Sequence, residues 1–264
     1  MSDYESILLE TDGPLGLLTL NKAARHNAFD ADLIADITLG LLELEEAASV
    51  RVVVISALGS SFCAGADLAW MQKAAHYAQE DNHRDAEQLS LMLATLNDLS
   101  KPTIARVQGP AYGGGVGLIA ACDLAVATYD TAFALSEVKL GLIPAVISPY
   151  ILAAIGERHA RRYMLTAERF SAAEAYRIGL VHELVPDTEQ LDGAINELAD
   201  CLLAGCPVAQ AECKRLIRVI NGQPIDDETR AETVDRISRV RASDEGREGL
   251  AAFLDKRRPS WRTD

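Results

Sequence analysis

Three glycines in a row, Gly113, Gly114 and Gly115, stand between an apolar run and a small-residue run in RVQGPAYGGGVGLIAACDLAVA (106–127). Glycine gives up more backbone freedom on folding than any other residue, so such a run marks a place where something approaches the main chain closely. Phosphate is one such partner. A phosphate-cradling P-loop closes on Gly-Lys-Ser/Thr, however, and here Gly115 is followed by Val116, Gly117 and Leu118. The dinucleotide fingerprint G-x-G-x-x-G begins at Gly113 and Gly115 and fails at Leu118. Two readings remain: close packing of a helix on a strand, or bare first-turn amides presented to negative charge. First-turn amides have no acceptor inside their helix and carry the positive end of its dipole. Stabilising an oxyanion requires that. A second turn of similar texture, GSSFCAGADLAWM (59–71), offers Ala64, Gly65 and Ala66. Side by side, the two turns would aim two N–H groups at one carbonyl oxygen.

Such turns need strands to end in them and helices to leave them. LGLLTL (Leu15–Leu20), RVVVISAL (51–58), PTIARV (102–107) and DLAVAT (123–128) read as strands from their short apolar runs, RVVVISAL as a buried one from its β-branched residues. Residues 30–48 read as a helix with Asp30 as N-cap, 68–99 as a helical pair and 114–121 as a short helix. Strands alternating with helices predict an α/β architecture. Beyond residue 149 the strand signal nearly disappears. Stretches 165–178, 187–203, 208–221, 226–240 and 244–257 read as helices, interrupted only by LVHELV (180–185). The expectation is an α/β core over 1–200 and a helical region over 201–264.

Composition excludes several classes of function. The chain has 264 residues, with 25 Lys and Arg against 39 Asp and Glu, a net charge of −14. No basic face is available to neutralise phosphates, so no nucleic acid is expected. The opening MSDYESILLETDG lacks a basic segment before an apolar run, and no run of about eighteen uncharged apolar residues occurs. Neither export nor a membrane partner is expected, and a cytoplasmic location is. Five cysteines without a CxxC pair suit free thiols in a reducing compartment. The histidines show no metal-ligand spacing, so no metal is expected. Ser136-x-x-Lys139 matches a β-lactamase tetrapeptide but has no SDN or KTG partner. Cys63 has no adjacent histidine to activate it, and small-residue packing is the better reading.

The pieces SSFCAGADL, GPAYGGGVGLIAACDLAVA and FALSEVKLGLIPAVISPYILAAIG, in this order, resemble the enoyl-CoA hydratase/isomerase (crotonase) superfamily. The resemblance runs from LLTLNKAARHNAFD (17–30) to FLDKRRPSW (253–261). It implies a spiral of ββα units with a C-terminal helical part that forms a homotrimer or homohexamer. It implies an acyl-CoA thioester as substrate, no separate cofactor, and a thioester oxygen held by the amides of Ala64 and Gly114. Glu137, in SEVKLG, matches one of the two glutamates usual in the family's hydratases, and Gly117 stands where the other would be. The segment 136–170 further resembles 3-methylglutaconyl-CoA hydratases, implying water addition to a branched or glutaconyl-type enoyl-CoA. The missing glutamate leaves room at Gly117 for a polar or bulky substrate group, and a substrate carrying its own carboxylate would suit it. Isomerisation or decarboxylation with the single glutamate is the alternative, and a noncatalytic acyl-CoA binder a further one, against which the retained Glu137 argues. Lys22, Arg25 and Lys256 match positions that meet the nucleotide end of CoA, the last from a neighbouring subunit. Ala66, Asp67 and Leu68 match the pantetheine path. Trp70 and Met71 border the acyl pocket or serve as helix-face core.

Overall fold

Apolar side chains on both faces of successive strands demand cover on both sides, which a mostly parallel sheet between helices supplies. The computed structural model describes residues 4–262. Its strands are β1 (Ile7–Asp12), β2 (Leu15–Leu20), β3 (Val52–Ala57), β4 (Thr103–Val107), β5 (Ala111–Tyr112), β6 (Leu124–Thr128), β7 (Ala132–Ala134), β8 (Phe170–Ser171) and β9 (Glu183–Val185). The helices of the first part are α1 (Ala31–Glu46), α2 (Leu68–Ala74), α3 (Gln79–Asp98) and α4 (Gly114–Ala121). Then come α5 (Ser148–Thr166), α6 (Ala172–Ile178), α7 (Thr188–Leu203), α8 (Pro207–Ile220), α9 (Asp227–Ala242) and α10 (Asp244–Leu254).

The large sheet runs β1-β2-β3-β4-β6-β9, parallel except for the β1–β2 hairpin, and a small sheet runs β5-β7-β8. Alternation splits the core. Val53 and Ile55 face α1 and α3, packing with Leu33, Ile37, Leu41, Met92, Leu93 and Leu96. Val52, Val54, Ile104 and Val126 face the other way, onto Leu191, Ala194 and Ile195 of α7. The chain then repeats one move. A large-sheet strand leads to a short extended segment and on to a helix: β4 to β5 to α4, β6 to β7 and, through a 3-10 turn, to α5. After β3 the extended segment is Cys63, which bridges Ala111 in parallel before α2 begins. The expected α/β spiral of ββα units is the fold observed.

One expected helix is divided. Residues 165–178 hold the end of α5, then β8, then α6. Ala167 takes a left-handed conformation, with φ 48°, and ends α5. Ser171 accepts the Glu174 amide and starts α6 as an N-cap, a start the Ser-x-x-Glu pattern encodes. The helix over 148–164 escaped the sequence reading because Pro149 and Gly156 punctuate it. Pro149 lies in its first turn, where no intrahelical N–H is needed, and Gly156 interrupts the helical dihedrals with φ 70°. Asp30 caps α1 as expected, accepting from Leu33 N at 2.9 Å.

Two glycine-to-alanine changes test how closely these layers meet. A β-carbon on Gly115 would lie 2.5 Å from the Cys63 carbonyl oxygen, whereas one on Gly193, exposed in α7, meets nothing within 4 Å. Gly115→Ala is expected to destabilise by roughly 3 kcal/mol, since the turns must part. Gly193→Ala should stabilise by about 0.5–1 kcal/mol. Urea unfolding of the two variants measures both.

Candidate active site

Three segments are sewn together by their main chains where β2, β3 and β4 end. Phe62 and Cys63 N–H both donate to Pro110 O, and Tyr112 N–H donates to Cys63 O at 2.9 Å. Phe29 N–H donates to Gly65 O at 2.7 Å, and Asp67 N–H to Phe29 O at 2.8 Å. In this parallel bridge Phe29 is the bonded residue, so the N–H and C=O of its opposite number, Ala66, point to the other side. That side is the cavity. Gly65 (φ 87°) and Gly113 (φ 49°) hold left-handed conformations that turn the chain at this point.

Ala64 is not the free amide. Its N–H donates to His26 O at 3.0 Å, which corrects the expectation that it serves as an oxyanion donor. Ala66 N–H and Gly114 N–H have no acceptor among the described residues, the second because Gly114 opens α4. Both residues line a cavity of about 480 Å³. A β-carbon on Gly114 would meet the Phe29 ring at 2.9 Å, and one on Gly65 the Tyr112 carbonyl oxygen at 2.9 Å. Glycine is therefore required at both turns. Asn27, absent from the sequence reading, ties the segments from beneath. It is fully buried with φ 53°, a conformation asparagine tolerates better than most residues. Its Nδ2 donates to Leu58 O and Ser61 O, and its Oδ1 accepts from Lys22 N.

Glu137 opens the 3-10 turn after β7 and lines the same cavity. One carboxylate oxygen lies 3.0 Å from where Gly113 would carry a β-carbon, and the other is buried without a hydrogen-bond partner. Burial raises its pKa above the usual carboxylate range. Lys139 forms no ion pair with Glu137 among the described residues, and its Nζ donates to Ala167 O at 2.7 Å. The expected vacancy beside Gly117 is filled. A β-carbon there would lie 2.2 Å from Ile147 Cγ2, and Ile147, also in the cavity wall, is 2% exposed. Among the side chains lining the cavity, Ser136 and Glu137 are polar and the others apolar, among them Trp70, Met71, Leu89 and Val146. Trp70 and Met71 thus border the cavity, and Trp70 Nε1 donates to Asp85 across the α2–α3 junction. Cys63 is fully buried and its thiol pKa is pushed up to about 12, so it offers no nucleophile.

The residues matched to the CoA path are placed unequally. Lys22 Nζ is engaged by both Asp30 oxygens at 2.7 Å. Arg25 remains exposed and lies 3.6 Å from Asp67, next to Ala66. Asp67 caps α2 by accepting from Ala69 and Trp70 N–H, while Leu68 is exposed at the cavity wall. Lys256 lies beyond α10 and is not among the cavity residues. No group of three metal-ligating side chains forms among the described residues.

Two free amides and one buried carboxylate line the same apolar cavity, the groups needed to hold a carbonyl oxygen and to move a proton at a neighbouring carbon. The enoyl-CoA hydratase/isomerase family model matches residues 10–264, and the chain belongs to that family. A crystal structure of an enoyl-CoA hydratase from Shewanella pealeana superposes with TM-score 0.95 at 42% identity, covering 97% of this chain and 96% of that one. An enoyl-CoA hydratase of Mycobacterium tuberculosis, EchA19, is 31% identical over 96% of this chain and 95% of its own length. A carnitinyl-CoA dehydratase of Salmonella agona is 32% identical over 98% of both chains.

The strained protonation of Glu137 has a measurable sign. With its folded pKa above the unfolded one, the wild type is most stable below the unfolded value and loses stability as pH rises toward the folded value. Glu137→Gln carries no charge to bury. Its thermal midpoint is expected to exceed that of the wild type at neutral pH, with the gap closing in acid, while turnover falls by roughly 10²-fold. Thermal melts across pH, with steady-state assays, measure both.

Proposed function

We propose that the protein isomerises an enoyl-CoA, moving a carbon–carbon double bond into conjugation with the thioester with Glu137 as its one acid–base group. The observation that carries this reading is the buried, unpartnered Glu137 oxygen, with Ile147 filling the space beside Gly117. The thioester oxygen accepts from the Ala66 and Gly114 amides. The Glu137 carboxylate takes a proton from C2, and the C2–H electrons form a C1=C2 bond as the carbonyl electrons move to oxygen. When the carbonyl re-forms, the C1=C2 electrons become C2=C3 and the former C3=C4 electrons pick up the same proton at C4. Negative charge rests meanwhile on the oxygen, where each amide contributes on the order of 3 kcal/mol. The transfer balances without a cofactor.

An uncharged hydrocarbon chain suits this cavity better than a glutaconyl-type one. No Lys, Arg or His side chain lines it, and a substrate carboxylate beside Glu137 would be a second buried anion without a partner. Arg25, exposed and 3.6 Å from Asp67, is the cation offered to the CoA phosphates. Leu250, Phe253 and Leu254 of α10 are all more than half exposed, which supports self-association into the trimer or hexamer the resemblance implies, in which Lys256 would serve a neighbour's CoA. No helix among the described residues is long and apolar enough to cross a membrane.

Trans-3-hexenoyl-CoA is the discriminating substrate. Growth of the conjugated enoyl-thioester absorbance is expected on adding enzyme, and its absence, together with loss of that band from crotonyl-CoA, would replace isomerisation by hydration. Light scattering at micromolar concentration is expected to give the mass of three or six chains.

A further inference from the structure

We infer that Ile147 decides what happens to the conjugated enoyl thioester formed in the site, keeping water from C3 so that the isomer is released rather than hydrated. The inference rests on the isomerase reading. Gly117 is one turn along α4 from Gly114, so a side chain there would leave the helix on the face that carries Gly114, where it would meet Ile147 of the cavity wall. Ile147 already holds that space, with Cγ2 2.2 Å and Cβ 2.6 Å from the position of a Gly117 β-carbon. It enters from the other side, as the residue preceding α5, and the helix pins it there. Its carbonyl accepts from Ile151 N–H, and Pro149 stiffens the first turn. The two positions are therefore complementary in volume. Only one of them can carry a side chain.

The chemical consequence follows from what a reacting water needs. A water in a cavity requires two to four polar partners. This wall offers the Ser136 hydroxyl and the Glu137 carboxylate, and Glu137 is committed to the substrate proton. The α4 face at Gly117 adds no polar side chain, and aliphatic Ile147 covers it. Adding water across C2=C3 requires its oxygen to bond C3 while a proton reaches C2. With Glu137 engaged on the substrate, Ser136 is the one side-chain partner left to that oxygen, and the conjugated product leaves unhydrated. Ile147 is thus a specificity-determining residue that acts by exclusion, without touching the transferred proton.

Partition of a single substrate tests this directly. Trans-3-hexenoyl-CoA is given to wild type, Ile147→Val, Ile147→Ala and the double variant Gly117→Glu/Ile147→Ala, and the isomer and its water adduct are separated by chromatography and weighed by mass spectrometry. The adduct-to-isomer ratio is expected to rise by about tenfold from wild type to Ile147→Ala, with Ile147→Val between them and the double variant highest. Ile147→Val keeps most of the packing and serves if the smaller residue fails to fold. A ratio that stays constant in folded variants still able to isomerise would overturn the role of Ile147 alone. Wild type that yields adduct without isomer would overturn the isomerase reading and this inference with it.

Discussion

The site depends on the main-chain bonds that join residues 62–67 to residues 110–112 on one side and to Phe29 on the other. Each of these bonds uses amides and carbonyls that would otherwise have to be satisfied by water or by side chains. Their pattern leaves two amides over, at Ala66 and Gly114, and both open onto the same cavity. The donors are thus a residue of the stitching rather than an addition to it. Their direction is set by backbone that is already ordered before any substrate arrives, and preorganised donors need no rearrangement at the moment charge develops.

Close approach is what the glycines supply. Gly65, Gly113, Gly114 and Gly115 each sit where a β-carbon would touch a carbonyl oxygen, a carboxylate or an aromatic ring. The same closeness brings the Glu137 carboxylate against Gly113, in surroundings that raise its pKa. A carboxylate with one unpartnered buried oxygen lowers the stability of the folded chain at neutral pH, and that oxygen is free for a substrate proton. Stability and reactivity pull in opposite directions at this residue. The surrounding core, from Leu33 and Ile37 on α1 to Leu93 and Leu96 on α3, is what tolerates the conflict.

Much of this was legible in the residues, and the failures are instructive. The glycine run and the small-residue turn pointed to backbone donors because few other ligands suit bare amides in two strand-to-helix turns. Which alanine donates was not legible, since Ala64 and Ala66 flank Gly65 alike. The tie is broken by His26 O and Phe29, more than thirty residues away in sequence, and no local pattern records that pairing. The vacancy expected at Gly117 failed for a similar reason: its occupant, Ile147, comes from another element altogether. Helix α5 was hidden by Pro149 and Gly156, residues that usually end helices and here lie in the first turn and at an interruption of the dihedrals.

The central claim is that Ala66 and Gly114, and not Ala64, hold the thioester oxygen. A crystal structure with a saturated, unreactive acyl-CoA such as hexanoyl-CoA tests it most directly. The account predicts the thioester oxygen at about 2.7–3.1 Å from both the Ala66 and Gly114 nitrogens, with the Ala64-to-His26 hydrogen bond intact. A thioester oxygen bonded to Ala64 N–H with that hydrogen bond broken, or one turned away from Gly114, would contradict it.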